Sequence, residues 1–470
     1  MAKRQQKRRR ERRQEHAKRR GWQTRHSVIT GAGVAAGAAL GLATSAGAAP
    51  LYLTVDNLND PNSAGACSDV VNNDCSLRQA VTDANANAGQ YDYIYFQSGL
   101  TGTISLTAAA GGQIPITDAV YIFGPGPDQL AVNAAPSSRI FDVNPATSGD
   151  RAEIDGLTLT DGDVTGDGGA IHNDDARLRM FDAVVSGNTA SGVGGGIYEA
   201  SNYDSGADDR FVYTSFVNNH AASGGAIAAD LSWGAIAEST FTGNSAVSGY
   251  AGAISGADAS YIVDSTVSGN AAATVGGGIS SGQLALYGTI VANNTAPTNP
   301  DLASTGGLAS FDLVKDPGNT GIGVVPSVIT GQDPQLGSLG ANGGNTPTLK
   351  PAASSPVVDQ SYSYSYYDQR SEARVVDNPN KANVSGGNGA DIGAVELSLA
   401  EGPQATPTPP PPPPVVHKKK CNKKKKHKRS AQAAKQCKKK KKHSRRFRFA
   451  MPPSHASSWP DAARTFRLER

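Results

Sequence analysis

Several features that would place this chain in a familiar class are missing from its sequence. The repeated part has no leucine at fixed offsets, which a leucine-rich repeat requires, and its period is too short for helical repeats of about 33 to 47 residues. No Leu-Pro-x-Thr-Gly sorting motif is present, and no transmembrane helix is predicted for the mature chain. Cysteine is scarce, with four residues in 470.

What the sequence does contain is a short phrase that occurs five times between residues 168 and 279. The first copy is Gly168-Gly169-Ala170-Ile171, and its isoleucine recurs after 26, 30, 27 and 25 residues. A second phrase, an apolar residue three positions before an asparagine, alternates with the first. Its asparagines are Asn188, Asn219, Asn244, Asn270 and Asn293. Self-similarity at this period indicates a solenoid or an array of repeats.

The composition of the repeats favours strands. They are rich in Gly, Ser, Thr, Val and Asn, which form helices poorly. One coil with two or three short strands describes a rung of a parallel β-helix, stacked about 4.8 Å above the last. The Gly pair then allows positive φ or close backbone approach, the isoleucines form a buried column, and the five asparagines form a hydrogen-bonded ladder.

These phrases resemble the polymorphic outer-membrane protein repeat of the right-handed β-helix (pectin-lyase-like) superfamily. The resemblance implies an all-β, right-handed parallel β-helix, here with a short N-terminal capping helix and disordered termini. Regular repeats are expected over residues 165–295, within rungs spanning 119–296. Length varies on one side of the coil, so the insertion over residues 201–210 is expected to protrude as a contact loop.

The charge of the chain is divided between acidic and basic parts. Residues 1–25 hold twelve Lys and Arg, and residues 417–448 hold eighteen, which leaves the body over 51–400 at about −25. The basic N-terminus, an apolar segment and Ala46-Gly47-Ala48 predict a signal peptide over residues 1–48, for Sec or twin-arginine export. A basic nucleic-acid-binding arm would leave the apolar segment unexplained.

An N-terminal cap region is predicted over residues 49–118. Cys67 and Cys75 lie close together in an exported context, so a disulfide is expected. Ser76 with Gln79 forms a capping-box pattern that predicts a helix over 77–87, a lid for the first rung. The stretch from Cys75 to Val81 resembles the Cys-Ser-Leu-Arg-Glu-Ala-Ile signature of exported bacterial β-helix proteins.

Residues 297–400 are expected to form irregular rungs and a cap. Motifs there, ending in Asp368-Gln369-Arg370 and Asp391-Ile392-Gly393-Ala394, resemble the choice-of-anchor Q region of bacterial surface proteins. Arg370 is expected to pair with an aspartate. A proline-rich linker follows over 401–416, and then a basic, disordered tail over 417–470. The tail is a candidate ionic anchor to anionic cell-wall polymer or acidic polysaccharide. Two alternatives stay open for Cys421 and Cys437 within it: a disulfide between them, or metal ligation together with His417 and His427.

Catalytic residues are not predicted. Asp161, Asp163 and Asp167 lie in a Gly-rich loop and are candidate Ca²⁺ ligands, although Gly-Asp-Gly is also ordinary turn chemistry. His172 follows the inward Ile171, so it is expected to face outward. The order of residues matches no lyase or polygalacturonase signature, and no other cofactor is predicted.

The sequence therefore predicts a secreted or cell-surface, monomeric β-helix protein that is non-enzymatic and adhesin-like. Its expected partner is a cell-wall polymer or polysaccharide, without specific nucleic-acid binding. The alternatives are a lyase or glycoside hydrolase acting on acidic polysaccharide, and a surface scaffold without a specific ligand.

Overall fold

The computed structural model describes residues 49–60, 67, 73–200, 210–229, 234–256, 260–318 and 321–404. These residues form an all-β parallel solenoid of about eight turns, with one α-helix. The predicted fold class is confirmed to this level. The predicted signal peptide, the insertion over 201–209, the linker beyond residue 404 and the basic tail lie outside the described residues.

Three parallel sheets form the faces of the solenoid. Sheet 1 has two strands in most turns, and they merge in its longer C-terminal strands: Tyr52–Val55, Asp92–Phe96, Ile114–Ile116, Val120–Phe123, Phe141–Val143, Arg151–Asp155, Ile171–Asn173, Arg177–Phe181, Ile197–Glu199, Arg210–Val212, Ile227–Ala229, Ala235–Ala237, Ile254–Gly256, Ser260–Val263, Ile279–Tyr287, Leu302–Ser310 and Ile322–Val324.

Sheet 2 follows sheet 1 along the solenoid, and sheet 3 adds a third face in five of the turns. Sheet 2 contains Gly102–Ser105, Leu130–Asn133, Thr158–Thr160, Val184–Ser186, Ser215–Val217, Thr240–Thr242, Thr266–Ser268, Ile290–Ala292, Leu313–Val314 and Ile329–Thr330. Sheet 3 contains Asp163–Val164, Thr189–Ala190, His220–Ala221, Ser245–Ala246 and Ala271–Ala272. An antiparallel hairpin, Leu336–Gly340 with Thr348–Pro351, comes after the last rung.

The repeated isoleucines form the predicted buried column in sheet 1. Each pairs in register with its counterpart one turn away, from Ile171 to Ile279, and all are buried. Phe141 and Leu302 extend the column at its two ends. Since parallel strands in register place equivalent side chains above one another, one apolar position per turn is enough to build a continuous core.

The two glycines of each repeat have different roles. The first takes positive φ, as Gly168 does at +68°, and Ala251 accepts the same conformation at +61° where the fourth repeat has no glycine. The second is required by close approach, because a Cβ on Gly169 would lie 2.1 Å from the carbonyl oxygen of Gly195 in the next turn.

Asparagines line the corner between sheets 2 and 3. Asn188 Nδ2 donates to Asn219 Oδ1 at 2.9 Å, and the same bond recurs from Asn219 to Asn244, from Asn244 to Asn270 and from Asn270 to Asn294. Each backbone N–H also donates to the next Oδ1. The column ends on Asp301, whose Oδ1 accepts from Asn294 Nδ2 at 2.9 Å.

The prediction that Asn293 belongs to this ladder is wrong. The core residue of its strand is Val291, which pairs with Val267, and Ile290 points to the other face of sheet 2. A shift of one residue along a strand reverses its faces, so the asparagine three positions after Val291 is Asn294. Asn293 takes the exposed corner position with φ of +61°, where its Oδ1 accepts from Lys315 Nζ at 2.7 Å.

A second polar ladder, which the sequence interpretation missed, lines the corner between sheets 1 and 2. The backbone N–H of Thr214 donates to Ser239 Oγ, that of Ser239 to Ser265 Oγ, and that of Ser265 to Thr289 Oγ1. It ends like the first, since Asp312 Oδ1 accepts from the Thr289 N–H at 2.7 Å. Burial raises the pKa of Asp312 well above its ordinary value.

The helix over Leu77–Ala86 covers the first strands of sheet 1, as predicted. Ser76 Oγ accepts from the Gln79 N–H at 3.2 Å, and Gln79 Nε2 donates to Asp83 Oδ1 at 2.8 Å. Arg78 is buried and forms a two-pronged ion pair with Asp60. The expected disulfide between Cys67 and Cys75 is present.

Replacing Asn244 with alanine is expected to lower the free energy of unfolding by about 2 kcal/mol or more. The change leaves the buried N–H of Asn219 without its acceptor and removes one of the two bonds of its Nδ2, and each unsatisfied buried group costs about 1–3 kcal/mol. Chemical denaturation measures the loss. The matched control is Asn218→Gly, because Asn218 is exposed and has φ of +54°, which glycine adopts. Equal destabilisation by both changes would contradict the ladder's role.

Candidate functional site

The outward face of sheet 1 carries an ordered row of polar and aromatic side chains. Strand pairing places Tyr52, Tyr93 and Tyr121 in one line, and the line continues with Glu153, Arg179 and Arg210: together the tyrosine–arginine column. The column crosses the first turns of the solenoid. It arises because every second residue of a strand faces outward and the strands stack in register.

The three tyrosines stack on one another. Their ring centroids lie 5.1 Å and 5.2 Å apart, with planes 6° and 8° from parallel. Tyr91 packs at an angle against Tyr121, and Arg151 Nη1 donates to the Tyr121 hydroxyl at 3.2 Å. Burial and the neighbouring tyrosines raise the pKa of Tyr93 above its usual value. Tyr93 is therefore neutral at physiological pH, and the stacking holds the three rings in a fixed array.

A second outward line lies beside the first, on the other strand of each turn. It places Asp142, His172 and Tyr198 in register: the acid–histidine column. Asp142 Oδ1 lies 3.3 Å from His172 Nδ1, and Gln113 Nε2 donates to Asp142 Oδ2 at 2.9 Å. Tyr198 packs at an angle against the His172 ring, with centroids 5.4 Å apart.

Arg139 connects this group to the neighbouring corner. Its guanidinium lies 3.4 Å from Asp142 Oδ1 and donates to the carbonyl oxygens of Asp167 and Gly168. His172 and Arg139 hold the pKa of Asp142 below its ordinary value, against burial, which raises it. The result is an ionised carboxylate in contact with an outward-facing imidazole, and a carboxylate beside a histidine is an arrangement suited to proton transfer.

The sequence interpretation correctly placed His172 on the outside of sheet 1 but did not find its partner. Asp142 stands 30 residues earlier and comes into contact only because the two strands stack. In a solenoid the relevant neighbours lie one turn away. A search at the repeat period would have aligned Asp142 with His172.

The three calcium candidates take up separate roles. Asp161 is an exposed corner residue with φ of +60°, Asp163 lies exposed in sheet 3, and Asp167 Oδ1 accepts from the Val193 N–H at 2.7 Å. Within the described ranges, no three or more His, Cys, Asp or Glu side chains are grouped to hold a metal ion. Calcium binding stays a prediction without an assembled ligand set.

The chain after the last rung folds back over sheet 2. Residues 342–402, here called the cover, bury the outward side chains Ser215, Thr240 and Thr266. Gln369 joins two of them, accepting from Thr240 Oγ1 at 2.6 Å and donating to Ser215 Oγ at 2.8 Å. As predicted, Arg370 pairs with an aspartate, Asp368.

Two carboxylates lie buried beneath the cover, at the corner between sheets 1 and 2. Asp264 and Glu238 occupy equivalent corner positions in adjacent turns, with φ of +46° and +42°. Asp264 pairs with the buried Arg374 at 3.1 Å and accepts from Ser363 Oγ, while Glu238 accepts from Ser365 Oγ. Burial, followed by repulsion from Asp264, raises the pKa of Glu238 to about 8.

No helix among the described residues is long and apolar enough to cross a membrane. Comparison with protein-family models gives no match, and comparison with curated proteins gives none either. A solved structure titled ORF18 of Geobacillus virus E2 is similar at 10% identity and a TM-score of 0.27. That alignment covers 53% of this chain and 56% of the other. We infer no function from so distant a likeness.

Stability of the protein is expected to fall as the pH rises from 4.5 through about 8, and Glu238→Gln should reduce this fall. Native Glu238 holds its proton more tightly than the unfolded chain does. Its contribution is therefore full below pH 4.5 and lost as the pH passes its native pKa. Glutamine keeps the acceptor for Ser365 without titrating. Denaturation midpoints across this pH range provide the measurement.

Glu372→Gln is the matched control, because this glutamate is exposed on the cover. Its pH profile should follow that of the unchanged protein. If Glu238→Gln also follows the unchanged profile, Glu238 does not hold a proton in the folded state at neutral pH.

Proposed function

We propose that this chain is an exported, secreted or cell-surface β-helix protein that binds acidic polysaccharide through the outward face of sheet 1. The observation that carries the proposal is the tyrosine–arginine column. It offers a regular, rigid row of side chains along several turns, as a polymer with a repeating structure requires.

The chemistry of the column fits sugar acids. Tyrosine combines an apolar ring with a hydroxyl at a small cost in conformational entropy, and arginine binds carboxylates through a planar fork of donors. Arg179 and Arg210 are half-buried and follow Glu153, which lies between them and the tyrosines in the column. A chain laid across the turns would meet the aromatic rings first, then Glu153 and then the guanidinium groups.

Sequence resemblances support the same proposal. The alternating repeat phrases, the Cys75–Val81 signature and the motifs over 332–397 are similar to those of exported bacterial proteins. We propose on this basis that the chain belongs to the right-handed, pectin-lyase-like β-helix superfamily. The domain division belongs to the proposal too: a signal peptide over 1–48, cap, rungs, choice-of-anchor Q-like region, linker and basic tail.

Replacing Tyr93 and Tyr121 together with alanine is expected to weaken binding to polygalacturonate about tenfold, because two ring contacts are lost. Arg179→Gln with Arg210→Gln should weaken it by a similar factor and reduce its salt dependence. Affinity electrophoresis measures both, with the full mature chain and with the chain ending at residue 404. The shorter chain removes non-specific attraction to the basic tail.

Tyr250→Ala is the matched control, because Tyr250 is an exposed tyrosine on the turn between sheets 3 and 1. Tyr93→Phe with Tyr121→Phe keeps the stacked rings and separates loss of contact from loss of fold. Unchanged binding in the alanine and glutamine variants would refute this surface. A lack of binding in the unaltered chain ending at residue 404 would refute the proposed function.

The acid–histidine column favours a second candidate, a lyase or hydrolase acting on the same polymer. Asp142 contacts His172 on the face that the polymer would cross, so His172 would transfer a proton, and Tyr198 lies beside it. Unsaturated products or new reducing ends, lost in His172→Ala with binding retained, would establish the enzyme. Binding without products in the unaltered protein favours the binder.

The basic tail is proposed to hold the protein on anionic wall polymer through ionic contacts. Cells that produce the full chain should retain it in the envelope at low salt and release it at high salt, because added ions screen such contacts. A chain lacking residues 403–470 should appear in the medium at both salt concentrations. Fractionation and immunoblotting provide the measurement. Equal retention of both chains would exclude the tail as the anchor.

A further inference from the structure

One segment of the cover places tyrosines on the surface in a regular order. Residues 361–367, here called the strap, read Ser-Tyr-Ser-Tyr-Ser-Tyr-Tyr. The strap crosses the corner between sheets 1 and 2, so that its serines face the solenoid and its tyrosines face outward. Tyr364 is 69% exposed and Tyr366 is 71% exposed, which is unusual for large aromatic side chains in ordered structure.

The inward contacts fix the strap in place. Ser363 Oγ donates to Asp264 Oδ2 at 2.6 Å, and Ser365 Oγ donates to Glu238 in the adjacent turn. The main chain is held as well, because the Ser361 N–H donates to the carbonyl oxygen of Ala390 at 2.8 Å. The exposed tyrosines therefore stand on an immobilised backbone, which lowers the entropy cost of binding a ligand.

The tyrosines form one continuous aromatic surface with the rungs beneath. Tyr362 and Tyr364 have ring centroids 4.8 Å apart, and Tyr287 stacks against Tyr364 at 6.4 Å. Phe311 contacts Tyr362 and also lines a cavity of about 300 Å³ with Pro326 and Val384. Tyr362, Tyr364, Tyr287 and Phe311 thus form one aromatic cluster, and the cavity lies at its Phe311 end.

The chemistry of this surface differs from that of the tyrosine–arginine column. The carboxylates Glu238 and Asp264 and the guanidinium of Arg374 are buried and bonded beneath the strap. The outward groups are rings and hydroxyls. Such a surface supplies ring faces for the apolar sides of sugar rings and hydroxyls for hydrogen bonds. Its exposed tyrosine rings and hydroxyls carry no positive charge to pair with a carboxylate.

We propose that the strap, with Tyr287 and Phe311, is a second polysaccharide-binding site, and that it takes a neutral sugar chain. Tyr362, Tyr364 and Tyr287 lie together in one aromatic cluster and Tyr366 stands exposed two residues further on, so a sugar chain lying over the strap can contact several rings. The site rests on the proposed function, because it makes the protein a binder of two polymers, one acidic and one neutral.

The test compares two double variants on two classes of polymer. Tyr364→Ala with Tyr366→Ala should weaken retention by a neutral polysaccharide about tenfold and leave binding to polygalacturonate unchanged. Tyr93→Ala with Tyr121→Ala should show the opposite pattern. The probes are soluble β-glucan, xylan and chitin oligosaccharides in affinity electrophoresis with the full mature chain, and Tyr250→Ala is the control. The exposed strap side chains leave no cavity when truncated, so the fold is preserved.

The outcomes separate the strap site from the proposed function. If the unaltered chain is retained by none of the three neutral probes, the strap site is overturned, while polygalacturonate binding still decides the proposed function. If Tyr364→Ala with Tyr366→Ala instead abolishes a dimer seen by light scattering, the occupant is a second copy of the chain. If the same variant abolishes partition into phosphatidylcholine vesicles, the occupant is a membrane. Either result overturns the proposal. Selective loss of neutral polysaccharide retention establishes it.

Discussion

Stacked turns of backbone leave polar groups at every corner, and this structure depends on satisfying them from one turn to the next. At two of its three corners the groups are satisfied by buried ladders, one of asparagines and one of hydroxyls. Both end on a buried aspartate, Asp301 and Asp312, which accepts from the last donor. A buried polar group without a partner is costly, so the ladders fix the register of the strands as strictly as the apolar columns do.

Fixed register creates the outward surfaces. Equivalent residues lie above one another in successive turns, so the side chains at one outward position form a column. In sheet 1, the column on one strand carries tyrosines and arginines, and the column on the other strand carries Asp142 and His172. The corner carboxylates Asp264 and Glu238 instead hold the cover and the strap in place. The same repeated geometry thus supports the fold, the closure of sheet 2 and the candidate binding sites.

Much of the fold could be predicted from local phrases, because each has a local physical cause: isoleucine at an inward position, glycine at a crowded corner, serine at a helix start. The prediction of the last ladder asparagine failed because two neighbouring residues fit the repeat equally well, both at Ile290-Val291 and at Asn293-Asn294. Only the strand pairing decides which residue of each pair faces the core. The sites were harder to predict. Asp142 meets His172 across a turn, and Ser363 meets Asp264 across 99 residues, distances that no local pattern spans.

The claim that polymer binds across the stacked strands of sheet 1 is tested most directly by hydrogen exchange with mass spectrometry. The full mature chain would be compared with and without polygalacturonate. Slower exchange in Asp92–Phe96, Val120–Phe123 and Arg177–Phe181, with no change in the sheet 3 strands Thr189–Ala190 and Ser245–Ala246, is the result this account predicts. Protection confined to sheet 3, or to no described strand, would contradict it.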